Sequence, residues 1–186
     1  MFKSIYYYID KFNKDEIDKL DRFISLIFRN YSNKINEKEM KDLTNLCRKQ
    51  RRKVYISKNL KIALKFNFNG IYIPSFNKIL KYRNIHKKNF EIIGSAHNIK
   101  EIIQKENQGC TKIFLCPIFK TKKSKYFLDV TRFNLTKLNA KKDIIALGGI
   151  NDKNIKKVNL CNVKGVASIS WIKKNGPSIN TGPFKF

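Results

Sequence analysis

Two glycines and an isoleucine, Gly148-Gly149-Ile150, directly follow one apolar run, and Ser168-Ile169-Ser170 closes the next. A glycine pair lets backbone N–H groups approach an anion, and a short helix after a late strand turns its N-terminus towards it. The serines add hydroxyl donors. Gly148, Gly149, Ser168, Ile169 and Ser170 therefore read as a phosphate site, with a tight strand-to-helix turn as the plainer alternative. Upstream, residues 119–125 (FKTKKSK) place four ammonium groups and two hydroxyls within seven residues. A diphosphate needs such donors. A solvated basic loop accounts for them equally well.

These groups need a frame that brings sequence-distant positions to one end. Residues 5–9 are β-branched and aromatic, which is strand chemistry. Asn13 is placed to cap a helix with Asp15 and Glu16 in its first turn and Ile17, Leu20 and Ile24 at helical spacing. Residues 23–28 read as a second strand. Asn36 caps a second helix in which Met40, Leu43 and Cys47 repeat and whose basic end, residues 48–52, suits a C-terminus. Further strands are expected at 54–56, 70–73, 91–94, 112–115, 143–147 and 165–169. Helices are expected at 60–66, 77–86, 99–107 and 129–138, and a short one from Asn151. That gives eight short apolar strands without polar alternation, as in a parallel sheet covered by helices. The expected fold is α/β, a single short (βα)₈ TIM barrel over residues 1–186; an open doubly wound sheet is the alternative. Functional groups of such barrels gather at the C-terminal ends of the strands. There the chain has Asp10, Arg29, Ser57-Lys58-Asn59, Asn77, Ser95-Ala96-His97 and the groups named above. His97, taken as the first residue of a helix, reads slightly better as a cap or packing residue than as a ligand contact.

Composition narrows the class. Of 186 residues 42% are hydrophobic, too many for a disordered chain. Forty Lys+Arg against fourteen Asp+Glu give a formal charge of +26. Such a field attracts phosphorylated metabolites and polyanions. The lysines are spread from Lys3 to Lys185 with no separate basic arm and no nucleic-acid motif, so nucleic acid is a less favoured partner than a phosphorylated small molecule. Cys47, Cys110, Cys116 and Cys161 form no C-x-x-C pair, and with only His86 and His97 beside them no metal site is expected. They read as buried free thiols of a reducing compartment. Residues 1–10 lack a long apolar run, and no segment approaches the ~18 apolar residues of a membrane span, so a cytoplasmic protein with no membrane partner is expected.

Four segments together carry a family resemblance: residues 93–97 (IGSAH), Pro117-Ile118-Phe119 with Thr121 and Ser124-Lys125, residues 146–150 (ALGGI) and residues 165–170 (GVASIS). In order and spacing they resemble thiamine phosphate synthase and its TenI-like relatives, best over residues 91–172. The resemblance implies a transferase of thiamine biosynthesis that joins hydroxymethylpyrimidine diphosphate to hydroxyethylthiazole phosphate with loss of diphosphate. By position, Gly149 and Ser170 would hold the thiazole phosphate, and Thr121, Ser124 and Lys125 would face the diphosphate. Ser95 would lie near the pyrimidine, and Arg29 matches the arginine of the family's Q-x-R-E-K motif. Lys125, Ser95 and Arg29 are thus the implied catalytic set. The rest of that motif is replaced by Ile27, Asn30 and Tyr31, and the usual Gly-Gln after the fourth strand by Pro74-Ser75. Mg²⁺ is the family's expected cofactor, but the places of its two aspartate ligands hold Lys58 and Asn77. The tautomerase histidine of TenI-type relatives is Pro117. Three readings follow: a synthase in which Lys58 and the 122–125 loop partly replace Mg²⁺, a non-catalytic TenI-like protein binding a thiazole or thiamine phosphate, and a basic barrel binding nucleic acid.

Overall fold

A computed structural model describes residues 2–30, 35–85, 87–122 and 124–175. Eight parallel strands close a barrel in chain order: β1 Ser4–Ile9, β2 Ile24–Phe28, β3 Val54–Ser57, β4 Gly70–Ile73, β5 Glu91–Ala96, β6 Lys112–Leu115, β7 Asp143–Leu147 and β8 Gly165–Ser168. The last strand pairs with the first, Tyr6 opposite Ala167 and Tyr7 opposite Ser168. The outer helices are α1 Lys14–Asp18, α2 Glu37–Lys49, α3 Leu60–Lys65, α4 Ile99–Asn107, α5 Asp129–Lys137, α6 Ile155–Val158 and α7 Ser170–Asn175. The closed barrel is the expected one, and no open sheet edge is left among the described residues.

Strand side chains alternate between two cores. Outward residues such as Ile5, Ile56, Ile71, Ile113 and Val166 pack under Ile17, Met40, Leu43, Ala63, Ile102 and Phe133 of the helices. Inward residues Tyr6, Tyr8, Ile27, Tyr55, Tyr72, Ile93, Phe114, Ile145 and Ala167 fill the barrel. Their rings meet edge to face, Tyr6 and Phe114 at 4.9 Å between centroids and Tyr8 and Tyr72 at 5.5 Å, the favoured aromatic geometry.

Capping explains where helices start. Asn13, Asn36, Asn59 and Asn98 each accept from a backbone N–H of the first turn, satisfying donors that have no partner inside the helix. Arg52, only 4% exposed, donates to the carbonyls of Leu20, Asp21 and Ile24 and so ties the end of the α1 segment to the entry of β2.

Five expectations need correction. Ile24 opens β2 instead of closing the apolar face of the first helix, because α1 ends at Asp18. The helix expected over 77–86 is a single 3-10 turn, Leu80–Asn84, since the Asn77 side chain accepts from the Ile79 N–H and holds a turn there; His86 lies outside the described residues. The helix expected from Asn151 begins at Ile155, because Asn151 and Asn154 bond each other's backbone in a preceding turn. His97 precedes the cap Asn98 instead of opening α4, and Cys116 is half-buried, unlike the three buried thiols.

Candidate functional site

Because the strands run parallel, all their C-terminal ends share one face, and the expected site residues stand on it. Arg29 follows β2, where its N–H donates to the Ile9 carbonyl at 2.7 Å and its guanidinium lies 4.4 Å from the Tyr8 ring centroid. Beneath it is a floor of hydroxyls and one thiol. The buried Tyr8 hydroxyl has no well-formed hydrogen bond among the described residues. Burial and the adjacent Tyr72 hold it protonated far above the ordinary phenol range. Burial also raises Tyr72, with Ser95 and Tyr8 working against that rise. Ser95 is 5% exposed on the last turn of β5, and burial pushes the Cys116 thiol up to about 12. At neutral pH this floor is uncharged. It suits binding of an apolar or neutral ring under a fixed guanidinium charge, and it offers no thiolate or phenolate nucleophile.

The β7 end is joined to the loop after β6. The N–H groups of Ile118 and Phe119 donate to the carbonyls of Leu147 and Gly148 at 2.9 and 3.1 Å. Gly149 sits at φ +72°, and a methyl there would overlap the Phe119 carbonyl oxygen and come within 2.6 Å of that of Lys120. Only glycine fits so close an approach. The Gly149 carbonyl accepts from Asn154 Nδ2 at 2.8 Å and Asn151 Nδ2 at 3.3 Å, which fixes the peptide it shares with Ile150, while the Gly149 N–H, in the peptide held through the Gly148 carbonyl, has no protein acceptor among the described residues. Ser168 is buried with Oγ accepting from Trp171 N–H at 3.4 Å, while Ile169 and Ser170 are exposed. Ser170 opens α7, so its N–H is one of that helix's unpaired donors. Trp171 is 7% exposed and its Nε1–H donates to Asp152 at 2.8 Å, bracing the segment.

Three hollows open on this face. One of about 330 Å³ is lined by Tyr8, Asp10, Arg29, Ile169 and Lys173, and so brings the arginine to the β8 end. Another of about 340 Å³ is lined by Asn30, Ser57, Lys58, Asn59, Lys61 and Lys81. A third, of about 390 Å³, has Lys125 with Tyr126, Asp129 and Arg132. Lys125 therefore lies apart from the Lys58 hollow. Thr121 Oγ1 accepts from the Ser124 N–H and Ser124 Oγ donates to the Tyr126 carbonyl, so both hydroxyls shape their own loop. His97 is structural in geometry, with both N–H and Nδ1 meeting Glu101 Oε2.

A divalent cation of the Mg²⁺ type does not fit the two positions where the family would hold it. Lys58 carries an ammonium that sits 4.4 Å over the Phe76 ring, and Asn77 Oδ1 is taken by the Ile79 N–H. Mg²⁺ is held through carboxylate oxygens. No group of three or more His, Cys, Asp or Glu is placed to hold a metal among the described residues.

Sequence reasoning missed the inner floor and the support behind the β4 loop. Tyr8 and Tyr72 stand within apolar runs and Cys116 reads only as a buried thiol, although Tyr6 and Tyr8 two residues apart on one strand must share a face. Lys105, fully buried on α4, donates to the Asn77 carbonyl and to Gln108 Oε1, both at 2.8 Å, and Gln108 donates to the Asn77 and Ile79 carbonyls. A lysine in line with Ile99 and Ile102 was the available signal.

Residues 22–172 match the family model described as thiamine monophosphate synthase. The chain is 31% identical over 137 residues to a thiamine-phosphate synthase of Prochlorococcus marinus, covering 72% of this chain and 40% of that protein. It is 32% identical over 121 residues to a thiamine-phosphate synthase of Clostridium acetobutylicum, covering 63% and 57%. It thus spans roughly half the length of these curated relatives. In fold it is similar to a thiamine phosphate pyrophosphorylase from Pyrococcus furiosus, with a TM-score of 0.76 at 17% identity over 96% of this chain and 94% of that one. A second such pyrophosphorylase, from Bacteroides thetaiotaomicron, gives 0.63 at 18% identity over 94% and 86%.

Proposed function

From the premise that this chain belongs to the thiamine monophosphate synthase family, we propose that it binds a thiazole phosphate at the β7 and β8 ends and joins it to a pyrimidine diphosphate. The observation that carries this reading is Gly149, whose N–H lies in a peptide held through its Gly148 carbonyl by the Phe119 N–H and has no protein acceptor among the described residues, with the first-turn N–H of Ser170 at the next strand end. Two fixed backbone donors bind a phosphate without reorganisation. In the reaction, the bond between the pyrimidine methylene and the diphosphate oxygen breaks and its electron pair leaves with the diphosphate. The thiazole nitrogen then donates its lone pair to the methylene carbon.

On this reading the chain's own cations take up the developing negative charge. Lys58, Lys61 and Lys81 around one hollow and Arg29 beside another are suited to that work, and Lys125 would approach from the loop after β6. The uncharged floor of Tyr8, Tyr72 and Ser95 would hold the pyrimidine ring away from water. No step requires Mg²⁺, whose usual ligand places are an ammonium and an engaged carboxamide here. The phosphate ligand implies work in an aqueous compartment, and we place the protein in the cytoplasm. The described residues include no helix long and apolar enough to cross a membrane.

A second reading, that the protein binds a thiazole phosphate or thiamine phosphate without turning over, is favoured by Asn77. Both its side-chain oxygen and its carbonyl are engaged inside the fold. One pair of measurements separates the two. Formation of thiamine phosphate from both substrates, dependent on Lys58 and unaffected by chelation of divalent ions, supports the synthase. Calorimetric binding of thiamine phosphate without turnover supports the second reading, and absence of both refutes each.

A further inference from the structure

The opposite end of the barrel carries a charge pattern that this chemistry does not use. In a closed parallel barrel, residues that precede the strands must all stand on the N-terminal face. Lys53 directly precedes β3, Lys87 and Lys88 precede β5, and Lys141 and Lys142 precede β7, and all five are exposed. The ring closes between β8 and β1, where Lys3 N–H donates to the carbonyl of Lys164 and both side chains are exposed. Along the chain these lysines are far apart, and the topology alone assembles them.

Little on that face neutralises them. The Glu91 carboxylate is shared between Lys53 and Lys112. Asp143 opens β7, and Glu106 accepts from the Lys141 backbone N–H. Beside the ring is a cavity of about 330 Å³ in which Arg48 and Arg51 stand with Asn67 and Asn69. The Arg51 guanidinium has no hydrogen-bond or ion-pair partner among the described residues.

We infer that this N-terminal rim is a docking surface for the phosphate backbone of a nucleic acid, distinct from the substrate face. The cations are strung around a circle and do not converge on a point, which suits a chain of phosphates better than a single one. Between them stand the exposed asparagines Asn89 and Asn139, whose amides can pair with sugars and base edges, while the Asn67 and Asn69 side-chain oxygens are taken by Lys87 Nζ and the Val54 N–H. An anionic bilayer would instead call for a broad apolar face among the lysines. The inference does not depend on the synthase reading, because the two faces lie at opposite ends of the barrel.

The test is fluorescence anisotropy of the full chain with a labelled single-stranded RNA of mixed sequence, between about 50 and 200 mM salt. The wild type should bind with affinity that falls steeply as salt rises. The variant Lys87→Glu/Lys88→Glu/Lys141→Glu/Lys142→Glu should lose roughly tenfold or more in affinity, because it removes phosphate contacts. A variant of equal charge change on the other face, Lys120→Glu/Lys122→Glu/Lys125→Glu/Lys153→Glu, should lose no more than about threefold. Circular dichroism checks that both are folded, and single reversals Lys88→Glu and Lys142→Glu replace the quadruple variant if it is not. Equal losses in both variants would show that net charge alone is responsible and overturn the inference. So would absence of RNA binding, or binding to phosphatidylserine vesicles in preference to RNA.

Discussion

Lys105 Nζ lies 2.8 Å from the carbonyl oxygen of Asn77, 28 residues away in sequence, on a side chain with no solvent exposure. The lysine thereby fastens α4 to the loop that follows β4, and with it the Phe76 ring over which Lys58 sits. Burial lowers its pKa to about 8.

A lysine lowered on folding binds fewer protons in the folded than in the unfolded state between about 8 and its ordinary value near 10.4. Its charge therefore counts fully against stability below pH 8, and that cost is relieved as pH rises above 8. Lys105→Met should remove this dependence. Urea titrations of both proteins at pH 7 and pH 9 should show the wild type gaining on the variant at the higher pH.

Arg52 is a second buried cation that ties backbone carbonyls together. Its guanidinium satisfies the carbonyls of Leu20, Asp21 and Ile24 at 2.8 to 2.9 Å inside the fold. Arg52→Met takes this donor from the Leu20 and Ile24 carbonyls and leaves the Asp21 carbonyl with the Ile24 N–H alone, each loss costing about 1 kcal/mol or more. The expected loss is about 3 kcal/mol by chemical denaturation, with Arg51→Met, at an exposed neighbour, changing stability by less than about 0.5 kcal/mol.

The Tyr8 hydroxyl is buried without a well-formed hydrogen bond, so its removal forfeits little. Tyr8→Phe should be neutral or stabilising by up to about 1 kcal/mol. If the hydroxyl faces the pyrimidine as proposed, the same variant should weaken substrate binding, read as a raised KM, while its melting temperature holds or rises.

Gly149→Ala combines a positive φ with overlap onto the Phe119 carbonyl. The strain should cost about 1–3 kcal/mol, and the displaced N–H should abolish thiazole phosphate binding in calorimetry. Ile169→Ala, beside the same opening but without backbone strain, should retain it.

Much of this architecture was legible in the sequence. The bounds of β6, β7 and α4 fall where the short apolar runs and the helical stretch 99–107 place them, because those ends are encoded locally. The stretch 77–86 misled because its helical spacing is overridden by the Asn77 turn and by carbonyls drawn to Lys105 and Gln108. Those partners sit about thirty residues further on, and nothing local announces them. The glycines at 148 and 149 announced a close backbone approach but not what approached, which proves to be the Phe119–Lys120 peptides. The inner tyrosines were visible as residues but not as a floor, since inward and outward positions separate only once the strands have a partner on each side.

The chain contains one tryptophan, and it is Trp171, next to Ser170 at the opening of α7 and hydrogen-bonded to Asp152 across from the Gly149 turn. An indole so placed is an optical probe that needs no label. Its emission reports the mouth of the barrel alone, while the tyrosines packed inside report the rest of the fold by absorbance. Ligand arrival and unfolding can therefore be followed in one cuvette as two separate signals.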